Sequence, residues 1–217
     1  QYVTAAKQLV SLRDVAIDMP AGPSEVQVIA DETANPDFIA ADFLSQAEHG
    51  ADSQSILVTI DEALIPRVEA AINSQLDELP RKEITAKALV HSRIILLNDM
   101  KEVIDFTNLY APEHLIVQTK DYSALADQVE NAGSVFLGAY TPESAGDYAS
   151  GTNHTLPTNG YARAYSGVNL DSFIKKITFQ EITAEGIRNL GDTIRVMAAN
   201  EELEAHRNAV TVRLNTL

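Results

Sequence analysis

Cysteine is absent from the 217 residues, which removes disulfide frameworks, thiolate nucleophiles and Cys-based zinc fingers together. Any metal must therefore be held by nitrogen and oxygen donors. Basic residues are scarce: 16 Lys and Arg stand against 31 Asp and Glu, a formal net charge of −15. A surface of that sign repels a phosphate backbone, and no basic stripe interrupts it, so nucleic acid is not an expected partner. No apolar run approaches the ~20 residues of a membrane-spanning helix, and the N-terminus lacks the charged-then-apolar pattern of a signal peptide. The expected location is the cytoplasm. Common chemical fingerprints are missing as well: there is no G-x-G-x-x-G, no Walker A loop, no G-x-S-x-G elbow and no H-E-x-x-H.

What is present is a regular alternation. Hydrophobic residues make up 45% of the chain, enough for one substantial core or one core with an appendage. Short β-branched runs at Val26–Ala30, Ser55–Ile60, Ile94–Leu97, Leu115–Gln118 and Ser134–Leu137 read as strands. Helical periodicity falls between them, over about Asn35–His49, Glu62–Leu79, Lys101–Tyr110 and Tyr122–Ala132. Strands separated by helices predict a three-layer, Rossmann-like α/β fold with a parallel sheet covered on both faces. Gly151–Gly167 has no sustained periodicity and reads as a long ordered loop of the kind that often carries function. From Leu170 onward the pattern gives a short helix, a strand-like Ile177–Ile182 and two helices, a mainly helical tail too small for its own core. The expected division is a connecting segment over 1–23, an α/β domain over 24–167 and the tail over 168–217.

Three constellations can carry chemistry. Gln46 and His49 end a predicted helix three residues apart, on one face, where they can grip one ion; a polar helix end with His favourable to the macrodipole is the plainer account of the pair alone. Glu113-His114 follows Pro112, between a helix and a buried strand. Adjacent acid and imidazole suit sequential proton transfers, while a helix-terminating turn with a surface ion pair is the plainer account. Glu143 to Tyr148 and Gly151 to His154 follow the last strand, at the carboxyl edge where open α/β sheets bind ligands; Asp147 and His154 supply an anionic donor and a polar contact there, or else form a capped helix and a turn. Pro20 to Glu25 makes a rigid turn in which Gly22 permits close backbone approach. Glu201 and His206 lie about 140° apart at helical spacing, so a helix end or bend must intervene before they serve one site. His91 belongs to no constellation.

Taken together, Ile17 to Glu25, Leu44 to Gly50, Tyr110 to Leu115, Glu143 to His154 and Ala205 to Val210 resemble, in order, the histidinol dehydrogenase family. Members are longer on the N-terminal side, so the resemblance implies a C-terminal portion, with most NAD-contacting residues outside it. It also implies a homodimeric, NAD- and zinc-dependent oxidation of histidinol to histidine. The implied zinc ligands are Gln46, His49, Asp147 and His206, the last from the other subunit. Glu113 and His114 are implied as acid/base residues, and Ser24, His154 and Glu201, with His114 and the metal ligands, as substrate contacts. Two other readings stand beside this one: a folded but catalytically silent dimerisation module, and a zinc hydrolase using Gln46, His49 and Asp147.

Overall fold

The structure is a computed structural model and describes residues 2–217. The five apolar runs form one parallel sheet: β1 (Glu25–Ala30), β2 (Gln54–Thr59), β3 (Arg93–Leu96), β4 (His114–Gln118) and β5 (Ser134–Leu137), in the order β3-β2-β1-β4-β5. Each boundary shifts by at most one residue from the sequence reading. Neighbouring strands start level, with Val26 beside Ser55 and His114, and His114 beside Ser134.

Helices α1 (Tyr2–Ser11), α2 (Pro36–Ala47), α3 (Leu64–Glu78), α4 (Lys82–Leu89), α5 (Met100–Tyr110), α6 (Tyr122–Ala126) and α7 (Glu143–Tyr148) complete this unit, which reaches to Phe173. The pleat divides the core. Val26, Val28 and Ile116 pack with Ile39, Phe43, Leu64 and Val68 on one face, while Ile29, Leu115 and Val117 pack with Val103, Ile104 and Leu125 on the other. Each such buried aliphatic side chain contributes about 1.5–3 kcal/mol, so the central strands are fixed firmly on both sides. That is the three-layer fold expected.

Local signals set the helix ends. Asn35 accepts a hydrogen bond from Asp37 N at 2.9 Å with Pro36 at the first helical position, and Asp99 accepts from Glu102 N at 2.9 Å. Helix α6 is shorter than its periodicity predicts. The Asn108 carboxamide oxygen takes the N–H groups of Glu130 (2.8 Å) and Asn131 (3.3 Å), which draws the chain out of the helix. Helices α1 and α4 were not anticipated.

The second unit, Ile174–Leu217, holds α8 (Ala184–Asn200) and α9 (Glu204–Leu214). The strand-like reading of Ile177–Ile182 is corrected: the segment enters no strand pairing among the described residues, and Ile177 and Phe179 are exposed. Alternating β-branched residues need a hydrogen-bonding neighbour to become a strand, and none is provided. Among the described residues no helix is long and apolar enough to cross a membrane.

Candidate active site

Helix α5 ends because Ala111 adopts the left-handed conformation (φ 55°) and Pro112 cannot continue the turn. The chain is then seized on both sides. Pro112 and Glu113 carbonyls accept from Gly133 N and Ser134 N at 2.9 Å each, which sets Glu113 and His114 at the amino end of β4. Both side chains are buried. Glu113 Oε2 accepts the backbone N–H of Glu25 at 3.0 Å. His114 Nδ1 lies 3.2 Å from the Glu25 carbonyl. A carbonyl only accepts, so Nδ1 carries the hydrogen and Nε2 keeps a free lone pair. That nitrogen is buried without a hydrogen-bond partner and faces Asp147 Oδ1 at 3.7 Å.

Two helices bring further groups to this edge. Helix α2 runs back from the carboxyl end of β1, so its C-terminal turn presents Gln46 and, just past the helix, His49. Gln46 is completely buried and neither atom of its amide has a partner. Helix α7 packs over β5 so closely that a Cβ on Gly146 would lie 2.5 Å from the Phe136 ring. This approach carries Glu143 and Asp147 to the same place. Ligand atoms of His49, Glu143 and Asp147 lie within 4.8 Å of one another, and Glu143 Oε1 is 3.9 Å from His49 Nε2 and 4.0 Å from His114 Nδ1. The expected position of this site is therefore corrected: it occupies the amino edge of the sheet, not the carboxyl edge. The return of α7 across β5 is what moves it, together with the C-terminal, partially negative end of α2, which favours a cation.

Burial dominates the electrostatics. It pushes the Glu113 carboxyl up to about 8, and the neighbouring carboxylates of Glu25 and Asp147 add to the rise. Glu143 goes up to about 9, again from burial first and then from Asp147, Glu113 and Asp42. Burial lowers His114, keeping the imidazole neutral. Carboxyls raised this far in one pocket form a site short of positive charge.

Ser24, half-buried, sits beside the Glu113 carboxyl and offsets a little of its rise. A cavity of about 850 Å³ opens beside Ser24 and His49, walled by Gly22, Pro23, Gly50 and Asp52. His154 is exposed in the loop after α7 and joins none of these contacts. Glu201 caps α8 and His206 lies in the first turn of α9, both exposed in the second unit. Glu143 is a site residue that the sequence motif alone does not single out; its place in α7, one turn before Asp147, is the signal that points to it. Gly146→Ala is expected to lower stability by about 1–3 kcal/mol through overpacking, seen as a lower denaturant midpoint, while exposed Ser144→Ala leaves it unchanged.

The fold and this pocket define an α/β protein equipped for proton transfer at the amino edge of its sheet. A family model for histidinol dehydrogenase matches residues 1–214, and the chain belongs to that family. It is 69% identical over 217 residues to the histidinol dehydrogenase of Bacteroides thetaiotaomicron, covering the whole chain and 51% of that relative. It is 57% identical over 220 residues to the chloroplastic histidinol dehydrogenase of Arabidopsis thaliana, covering 47% of it. The crystal structure of histidinol dehydrogenase from Elizabethkingia anophelis superimposes with a TM-score of 0.96 at 62% identity, over all of this chain and 50% of that one. The chain spans about half the length of the curated relatives it matches.

Proposed function

We propose that the protein carrying this chain oxidises L-histidinol to L-histidine through L-histidinaldehyde, with zinc and two NAD, at the end of histidine biosynthesis. The observation that carries this reading is a buried Glu113–His114 pair beside the donors His49, Glu143 and Asp147.

The donor set fits zinc. A fully buried amide with both atoms unpaired, as at Gln46, costs about 1–3 kcal/mol unless something binds it. Gln46, His49 and Asp147 hold the ion in this reading, with His206 reaching in from the partner subunit of a homodimer. When bound, zinc supplies a Lewis-acid anchor for the amine and imidazole nitrogens of the substrate. NAD, when bound, would supply the acceptor for the hydride of each oxidation; the chain has no glycine-rich fingerprint, and no residue here is assigned to it.

The proton chemistry belongs to this chain. His114 Nε2 takes the hydroxyl proton in the first oxidation, its tautomer set by the Glu25 carbonyl. Glu113, raised to about 8, is a base poised near working pH and deprotonates the water that attacks the aldehyde. Ser24, His154 and Glu201 contact the substrate together with the metal-holding residues. In this division residues 24–167 carry zinc, substrate and acid/base groups, 1–23 connect to a preceding domain, and the 168–217 tail serves the partner's site. The cytoplasm is the assigned compartment, although the Arabidopsis relative is named chloroplastic.

The test is NADH formation from histidinol by the protein supplied with zinc and NAD, with histidine as product. Two NADH per histidine are expected, abolished by a chelator and restored by zinc. No NADH from the zinc-loaded protein sinks the proposal and leaves a folded, catalytically silent dimerisation module.

A further inference from the structure

One residue touches both members of the acid–base pair and has no role in the reaction just described. Glu25 opens β1. On the β4 side the ladder begins only at Val26 and His114, so the Glu25 N–H has no backbone partner there, and Glu113 Oε2 accepts it at 3.0 Å. The Glu25 carbonyl, already facing the backbone of His114 in the ladder, also accepts from that residue's ring at Nδ1, 3.2 Å away. A strand end has few bonds to hold it, so something else must keep this peptide still. The Glu25 side chain does so. It is buried, its Oε1 accepts the backbone N–H of Asn159 at 3.0 Å, and the Tyr110 hydroxyl lies 3.4 Å from its Oε2. The one hydrogen of that hydroxyl also faces Gln54 Oε1 at 2.8 Å. Two elements thus converge on one carboxylate, the loop at 158–160 and the end of α5, and the start of β2 holds the hydroxyl beside it.

We infer that Glu25 is the positioning residue of the acid–base pair, its carboxylate clamped by Asn159 and Tyr110 so that its peptide groups orient Glu113 and select the Nδ1–H tautomer of His114. Burial raises Glu25 to about 6, so an acid is kept here against its desolvation penalty. An apolar residue would fill the volume more cheaply if packing were the only demand. The inference rests on the proton-transfer roles given above to Glu113 and His114.

The experiment reads the tautomer directly. In protein labelled with nitrogen-15 histidine, the His114 ring signals, assigned by loss in His114→Asn, show a protonated Nδ1 and an unprotonated Nε2. Glu25→Ala is expected to move both signals toward the average of two tautomers and to lower kcat about tenfold or more with KM changed less than about twofold. Glu25→Gln keeps an oxygen for Asn159 N–H and is expected to restore the ring signals and bring kcat to within about threefold of the parent. Wild-type His114 signals in Glu25→Ala overturn the inference, as does a folded Glu25→Gln that fails to restore them. Should Glu25→Ala not fold, Tyr110→Phe removes a single oxygen from the clamp: a partial shift of the same signals supports the inference and an unchanged spectrum overturns it. Absence of NADH from the unaltered protein would defeat the proposed reaction while leaving the tautomer result readable.

Discussion

His114→Asn lowers kcat for histidinol oxidation by about 10²–10⁴-fold, the range that a positioned general base supplies. Asparagine retains a donor near the Nδ1 position for the Glu25 carbonyl, 3.2 Å away in the parent, so the fold and the strand register persist. What it lacks is the lone pair of Nε2, the buried nitrogen that faces Asp147. Glu113→Gln separates the two oxidations. Its amide oxygen still accepts Glu25 N–H, but it takes no proton from water, so oxidation of histidinaldehyde is slowed by a comparable factor while oxidation of the alcohol is affected less. The pH profile distinguishes these roles. Glu113 acts as a base only when ionised, so the rate of aldehyde oxidation rises with pH through the region near 8, and that limb disappears in Glu113→Gln. Single-turnover kinetics with histidinol and with the aldehyde measure both effects. Equal loss in the two steps for Glu113→Gln would contradict the assignment.

Without a divalent cation, the chain melts at lower temperature as pH rises from about 5 to about 9, and zinc cancels the fall. The sign follows from linkage. Glu113 and Glu143 have ordinary values of 4.5 and are raised to about 8 and about 9 by burial. Each binds its proton more tightly folded than unfolded. The stability this represents is fully present below 4.5 and is lost as pH climbs through the raised values. A cation held by Gln46, His49 and Asp147, close to Glu143 and Glu113, favours the ionised carboxylates, so its contribution grows over the same window. At 100 times the dissociation constant it adds about 2.7 kcal/mol. His49→Ala and Asp147→Asn are expected to weaken zinc by more than about 100-fold, and His206→Ala to do so in the dimer alone. Melting curves at several pH values with and without zinc, with metal analysis giving about one zinc per chain, check this. A cation-free melting temperature that rises with pH, or zinc affinity unmoved in Asp147→Asn, refutes the charge-deficient site.

Periodicity carried most of the fold because it is a local property. The runs at Val26–Ala30 and Leu115–Gln118 are apolar on both pleat faces, which is what a covered parallel strand requires. The tail strand failed for the opposite reason: Ile177 to Ile182 has the composition of a strand, but pairing depends on a distant segment. Helix α6 does not run on to Ala132 because Asn108, more than twenty residues upstream, captures the N–H groups of Glu130 and Asn131. Within the site, Gln46 with His49 and Glu113 with His114 were readable as local pairs, whereas the part Glu143 plays beside Asp147 was not.

By itself the sequence determined the alternation of strands and helices, the nitrogen and oxygen character of any metal site, and the local pairs that carry titratable groups. Only the tertiary structure decided which edge of the sheet they share, that His114 is neutral with Nε2 free, and that Glu25 holds both members of the acid–base pair. The reason is that spacing along the chain fixes direction within one element, whereas desolvation and hydrogen-bond partners depend on groups about 90 residues away in sequence, such as Glu25 and His114, meeting across a strand boundary.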